Sequence, residues 1–79
     1  MGGSARTQPD PTLLEFGQLM RARRQAKALT QREMAAKIGV SQQSVDYYER
    51  GLVGPSLSKA LLWCELLDLD MWPAPRGEA

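Results

Sequence analysis

The tightest constraint on this chain lies between Gly39 and Ser41, where one helix must stop and the next must start with only Val40 between the two signals. Just upstream, "TQRE" carries a capping box: Thr30 can cap a helix through its hydroxyl, and Glu33, three residues on, can reach back to the N–H of the cap. Met34, Ala35 and Ile38 then fall on one side of a short helix. Gly39 ends it, because glycine takes the left-handed cap without strain. Ser41 is placed to cap a second short helix, from Gln42 to about Arg50, which Gly51 stops.

The flanking segments read as two more helices. "TLLE" matches a capping box with Thr12 as cap and Glu15 reaching back, and Leu13, Phe16, Met20 and Arg24 follow at helical spacing, so this helix is expected to run to about Ala28. After the loop "LVGP", Ser56 is placed to cap a helix that buries Leu57, Leu61, Cys64 and Leu67. The ending "LDLDMWPAP" alternates apolar and polar residues before its prolines, as a short strand or a last helical turn would. The expected organisation is a flexible tail over 1–11, one domain over 12–72 and a flexible tail over 73–79. The fold class is all-α: a compact four- to five-helix bundle, with a short C-terminal strand as an optional addition.

Composition narrows the function. A chain of 79 residues holds one small core, since a domain of that size buries only about 60% of its unfolded surface. It has no histidine and one cysteine, Cys64. That removes the common zinc sites, Ser-His-Asp and Cys-His arrangements and most acid–base chemistry. Asp68 and Asp70 stand near a chain end with nothing to suggest a pocket. No enzymatic activity, metal or cofactor is expected. A lone cysteine fits a reducing compartment, and no apolar run approaches the roughly 18 residues of a membrane span, so a cytoplasmic location without membrane attachment is expected.

Net charge is +1, but it is unevenly placed. Between Met20 and Lys59 eight cations stand against three anions; beyond Lys59, Arg76 stands against four. A basic centre suits an anionic partner. Within it lies "VSQQSVDYYERG". Val45 and Tyr48, three residues apart, point inward. Gln42, Gln43, Asp46, Tyr47 and Arg50 fall on the outer side, where a plain solvent face would carry lysine and glutamate. Two short helices joined by a tight glycine-containing turn are the helix-turn-helix pattern, and its second helix offers its first turn to base edges. A glutamine amide can bond adenine bidentately in the major groove.

The features "TQ..E.A...GVS....V..YE.G...PS...L" carry a resemblance to the Cro/C1-type (XRE) helix-turn-helix family, which includes the lambdoid phage repressors; it covers about Phe16 to Leu69. The resemblance implies a lambda-repressor-like bundle. Base reading is expected from Gln42, Gln43, Tyr47 and Asp46, and the resemblance implies a phosphate contact by Gln31, with Ser44 near the backbone. It also implies that Arg24 pairs with Glu49 to tie the first and third helices. Two departures stand out. Ala28 occupies a position that is often glycine, and "LVG" replaces a loop that is often basic, so Arg50, Arg21 or Lys59 would supply backbone charge instead.

In the family the fourth helix leads into a dimer surface. Leu62, Trp63 and Leu66 lie off the expected core stripe, and Leu69, Met71 and Trp72 follow. So much apolar surface needs a cover. A homodimer closed by Leu66, Leu69, Met71 and Trp72 would set two reading helices in successive major grooves. "LDLDMWP" also looks like the C-terminal strand of HipB-type antitoxins, in which two strands pair across the dimer. The function implied is a DNA-binding transcriptional regulator, most simply a repressor that occupies a palindromic operator. The alternative is a protein-interaction module or toxin-binding antitoxin subunit on the same fold.

Overall fold

The computed structural model describes residues 8–69. Four helices follow in order: α1 (Pro11–Ala26), α2 (Gln31–Ile38), α3 (Gln42–Glu49) and α4 (Leu57–Leu66), with no strand among the described residues. The proposed C-terminal strand falls mainly on residues beyond 69 and so outside those described.

Three helix starts follow the sequence signals. Thr30 and Glu33 form the complete capping box of α2, Ser41 accepts from the Ser44 N–H at α3, and Ser56 accepts from the Lys59 N–H at α4. The fourth differs. Asp10, not Thr12, caps α1: its carboxylate accepts from the Leu13 N–H at 3.0 Å. Pro11 follows at the first helical position, where its fixed φ suits a helix and its missing N–H costs nothing. Thr12 is thereby carried into the first turn. At the other end α1 stops at Ala26, and Ala28 takes a left-handed conformation with φ +58°. The chain keeps there the backbone that glycine favours, at roughly 1–2 kcal/mol for a residue bearing a Cβ.

The turn between α2 and α3 is built as its spacing requires. Gly39 adopts φ +77°, and its N–H and that of Val40 both donate to the Ala35 carbonyl, at 2.8 and 3.0 Å. The Lys59 ammonium donates to the Ile38 carbonyl at 3.0 Å, which places a cation at the negative end of α2.

α3 packs against both α1 and α2, and α2 also meets α4. The core is Met20 from α1, Met34, Ala35 and Ile38 from α2, Val45 from α3, Trp63 and Cys64 from α4, and Leu67 just after it. Burial pushes the Cys64 thiol up from its ordinary range, so it is a neutral apolar filler at physiological pH. α1 and α3 touch through backbone. A Cβ on Gly17 would lie 2.4 Å from the Tyr48 carbonyl oxygen and 2.5 Å from that of Glu49, so only glycine allows this approach. Lys27 and Asp68 join the ends of α1 and α4 at 2.7 Å, and this hydrogen bond to Lys27 holds the Asp68 carboxyl below its usual range.

α4 presents a different face from the one expected. Ala60, Trp63 and Cys64 are buried, continuing to Leu67, whereas Leu61 is half-buried and Leu57 is 66% exposed. Ser58 and Glu65 mark one outward face, but leucines flank it on both sides, so the polar positions alone leave the exact inward stripe open. The indole volume decides it. Trp63 is fully buried, with Phe16 edge-on at 5.9 Å between ring centroids and Tyr48 tilted against it at 5.8 Å.

Candidate nucleic-acid interface

The orientation of α3 is set from its C-terminal end. Arg24 on α1 grips Glu49 bidentately: Nε donates to Oε2 at 2.7 Å and Nη2 to Oε1 at 3.0 Å. Nη1 donates to the Leu29 carbonyl at 2.8 Å, so the same guanidinium also holds the chain between α1 and α2. The side chains are 8% and 2% exposed. A bidentate fork fixes angle as well as distance, so the pair indexes α3 against α1.

Gln31 extends this network. Its Nε2 donates to Glu49 Oε1 at 3.0 Å and to Asp46 Oδ1 at 3.3 Å. The other Asp46 oxygen accepts from Arg50 Nη1 at 3.0 Å. Gln31 therefore turns its amide nitrogen toward α3, and Asp46 is drawn into a Gln31–Asp46–Arg50 chain across the top of that helix. The Asp46–Arg50 pair is an i,i+4 contact that spacing allows, but the links from Gln31 were not visible in the sequence, since they depend on how α2 crosses α3.

The outer face of α3 carries what its spacing placed there. Gln42 and Gln43 are exposed in the first turn; Ser44 and Tyr47 are half-buried. The Gln43 Nε2 donates to the Tyr47 hydroxyl at 3.1 Å, one helical turn along. Gln43, Ser44, Tyr47, Tyr48 and Val53 line a recess of about 180 Å³ beside the helix. Ser44 accepts a hydrogen bond from the Ser41 hydroxyl at 3.0 Å within the cap. Tyr48 lies on the inner side against Trp63. Among the cations, Arg21 and Arg50 are exposed, while Lys59 is part-buried at the α2 terminus. Of the apolar residues expected to pair two copies, Leu66 and Leu69 are partly buried against the core, and Met71 and Trp72 lie outside the described residues. Leu62 is exposed, and Trp63 is not available to a partner.

Two short helices on a cap–glycine–cap turn, with the second fixed by a buried ion pair and its first turn bared, define a helix-turn-helix module. Comparison with known proteins agrees. The helix-turn-helix family model matches residues 20–71. An uncharacterized HTH-type transcriptional regulator of Sinorhizobium fredii, y4dL, is 36% identical over 59 residues, a match that spans 75% of this chain and 30% of that relative. Among solved structures, the restriction-modification controller protein C.AhdI from Aeromonas hydrophila is similar with a TM-score of 0.71 and 34% identity, over 77% of this chain and 92% of that one. The chain belongs to the helix-turn-helix family of Cro/C1 type, a family of DNA-binding regulators and not of enzymes. Among the described residues no helix is long and apolar enough to cross a membrane.

Proposed function

We propose that this chain is a sequence-specific DNA-binding transcriptional regulator that acts as a homodimer on a palindromic operator, most simply as a repressor by occupying its site. The observation that carries this reading is the exposed amide-and-phenol face at the start of α3, held in fixed orientation by the Arg24–Glu49 pair. Gln42, Gln43 and Tyr47 are assigned to base edges. Asp46 sits on the same face, but both its oxygens already hold partners, so we assign it to positioning Gln31 and Arg50.

Backbone contacts are assigned to Arg21, Arg50 and Ser44, and to the start of α2, where the dipole and the N–H groups of the first turn favour a phosphate. Gln31 marks that point, although its side-chain nitrogen is directed to α3. Lys59 contributes charge from the end of the same helix. The dimer surface is assigned to Leu66, Leu69, Met71 and Trp72, together with Leu62, which is exposed one turn before Leu66 on α4. The likeness to C.AhdI, which extends over 92% of that controller's chain, favours a restriction-modification setting over a phage repressor or an antitoxin.

Selection from a random duplex pool tests this reading. The enriched sites should be two inverted half-sites about 10 base pairs apart, the spacing of successive major grooves on one face. Leu62→Asp and Trp72→Asp should each lower dimer formation in sedimentation and affinity for the selected site together. A pool with no enriched sequence, or a monomer that binds as tightly as the dimer, would contradict the proposal.

A further inference from the structure

We infer that Tyr47 is a specificity-determining residue, whose hydroxyl orients the Gln43 amide so that the pair reads adenine in preference to guanine. The inference rests on the DNA-reading role proposed above and goes beyond it in naming the base. A glutamine amide has two N–H donors and one carbonyl acceptor. Left to rotate, it can present either two donors or a donor beside an acceptor. Here Nε2 donates one of its protons to the Tyr47 hydroxyl at 3.1 Å. What remains is one N–H and the Oε1 oxygen.

That remainder matches one purine. Adenine shows the major groove an acceptor, N7, beside a donor, the N6 amino group; guanine shows two acceptors, N7 and O6. A Gln43 amide held by the phenol can donate to N7 and accept from N6 of adenine. Facing guanine, it would either set Oε1 against O6 or give up its bond to Tyr47.

The phenol is itself held in place. Tyr47 is half-buried, which limits the directions its ring can take, and with Gln43, Ser44, Tyr48 and Val53 it lines the recess beside α3. The spacing of four residues keeps the two side chains adjacent on one helix face. The hydroxyl accepts from Gln43 and keeps its own proton, which is then directed away from the amide, toward a base or phosphate acceptor.

The test is a set of binding titrations with the full chain and its variants Tyr47→Phe, Gln43→Ala and the double substitution. The duplexes are the selected operator with each base pair exchanged in turn, and a scrambled duplex. The position that Gln43 meets is the one whose preference Gln43→Ala flattens. There the wild type should favour adenine over guanine by roughly 5- to 160-fold. Tyr47→Phe should cut that ratio several-fold or turn it toward guanine, with the melting temperature unchanged. In the Gln43→Ala background, Tyr47→Phe should leave the ratio as it is.

A wild type that prefers guanine at that position, a ratio untouched by Tyr47→Phe, or effects of the two changes that simply multiply would each overturn the inference while leaving the regulator reading intact. A wild type that binds all duplexes alike would overturn both.

Discussion

Trp63→Ala should bring the domain close to unfolding at ordinary temperature. The side chain is fully buried at the meeting point of α1, α3 and α4, with Phe16 and Tyr48 against it. Removing a buried tryptophan costs about 3–5 kcal/mol, from lost transfer free energy and the cavity left behind. Small domains have about 5–15 kcal/mol in total, with chains of this size toward the lower end. At about 4–8 °C per kcal/mol, the melting temperature should fall by at least about 12 °C.

Trp63→Phe should be far milder for a specific reason. The indole Nε1 is buried with no hydrogen-bond partner among the described residues, so phenylalanine loses volume but also removes an unsatisfied donor, itself a cost of about 1–3 kcal/mol. Thermal melts followed by circular dichroism check both. If Trp63→Ala melts within a few degrees of wild type, the aromatic trio is not the centre of the core.

Arg24→Met should destabilise to a similar degree by a different route. The Glu49 carboxylate is 2% exposed, and without Arg24 it would keep only the Gln31 amide. Stranding a buried charge costs about 3–5 kcal/mol, whereas replacing both partners by apolar residues of similar volume is often neutral or better. Arg24→Met with Glu49→Met should therefore recover most of the loss in urea midpoint. It should not recover sequence selectivity, because no bidentate fork would set the rotation of α3. A double variant as unstable as the single one would show that the packing of Arg24, and not its charge, matters.

The parts of the fold that were legible in the sequence are those set by local chemistry. Thr30 with Glu33, Gly39, Ser41 and Ser56 act within a few residues of themselves, and each stands in the structure as its neighbours dictate. Even local signals compete, however. Thr12 and Glu15 match a capping box as well as Thr30 and Glu33 do, yet Asp10 followed by Pro11 starts α1 a turn-fraction earlier.

What was not legible depends on how helices cross. In α4 the exposed Ser58 and Glu65 share one face, but leucines flank it on both sides, and the opposite stripe of Ala60, Trp63, Cys64 and Leu67 turns inward with Trp63 against Phe16 and Tyr48. Gly17 sits inside an ordinary helical pattern; its need for close backbone approach appears only once Tyr48 and Glu49 lie against it. The outer face of α3 was readable because a helix with Val45 and Tyr48 inward leaves few choices. The links from Gln31 to Asp46 and Glu49, and from Lys59 to Ile38, join residues 15 to 21 positions apart and could not be read from spacing.

The most direct test of the reading helix compares two affinities, for the selected operator and for a scrambled duplex, in the wild type and in Gln42→Ala with Gln43→Ala. Both side chains are exposed in the first turn of α3, clear of the core, so the variant should fold normally. Each good base contact contributes about 1–3 kcal/mol of discrimination. The ratio of the two affinities should therefore fall by at least about 30-fold for each half-site, while binding to the scrambled duplex and its salt dependence stay as they were. An unchanged ratio would mean that α3 does not read the sequence.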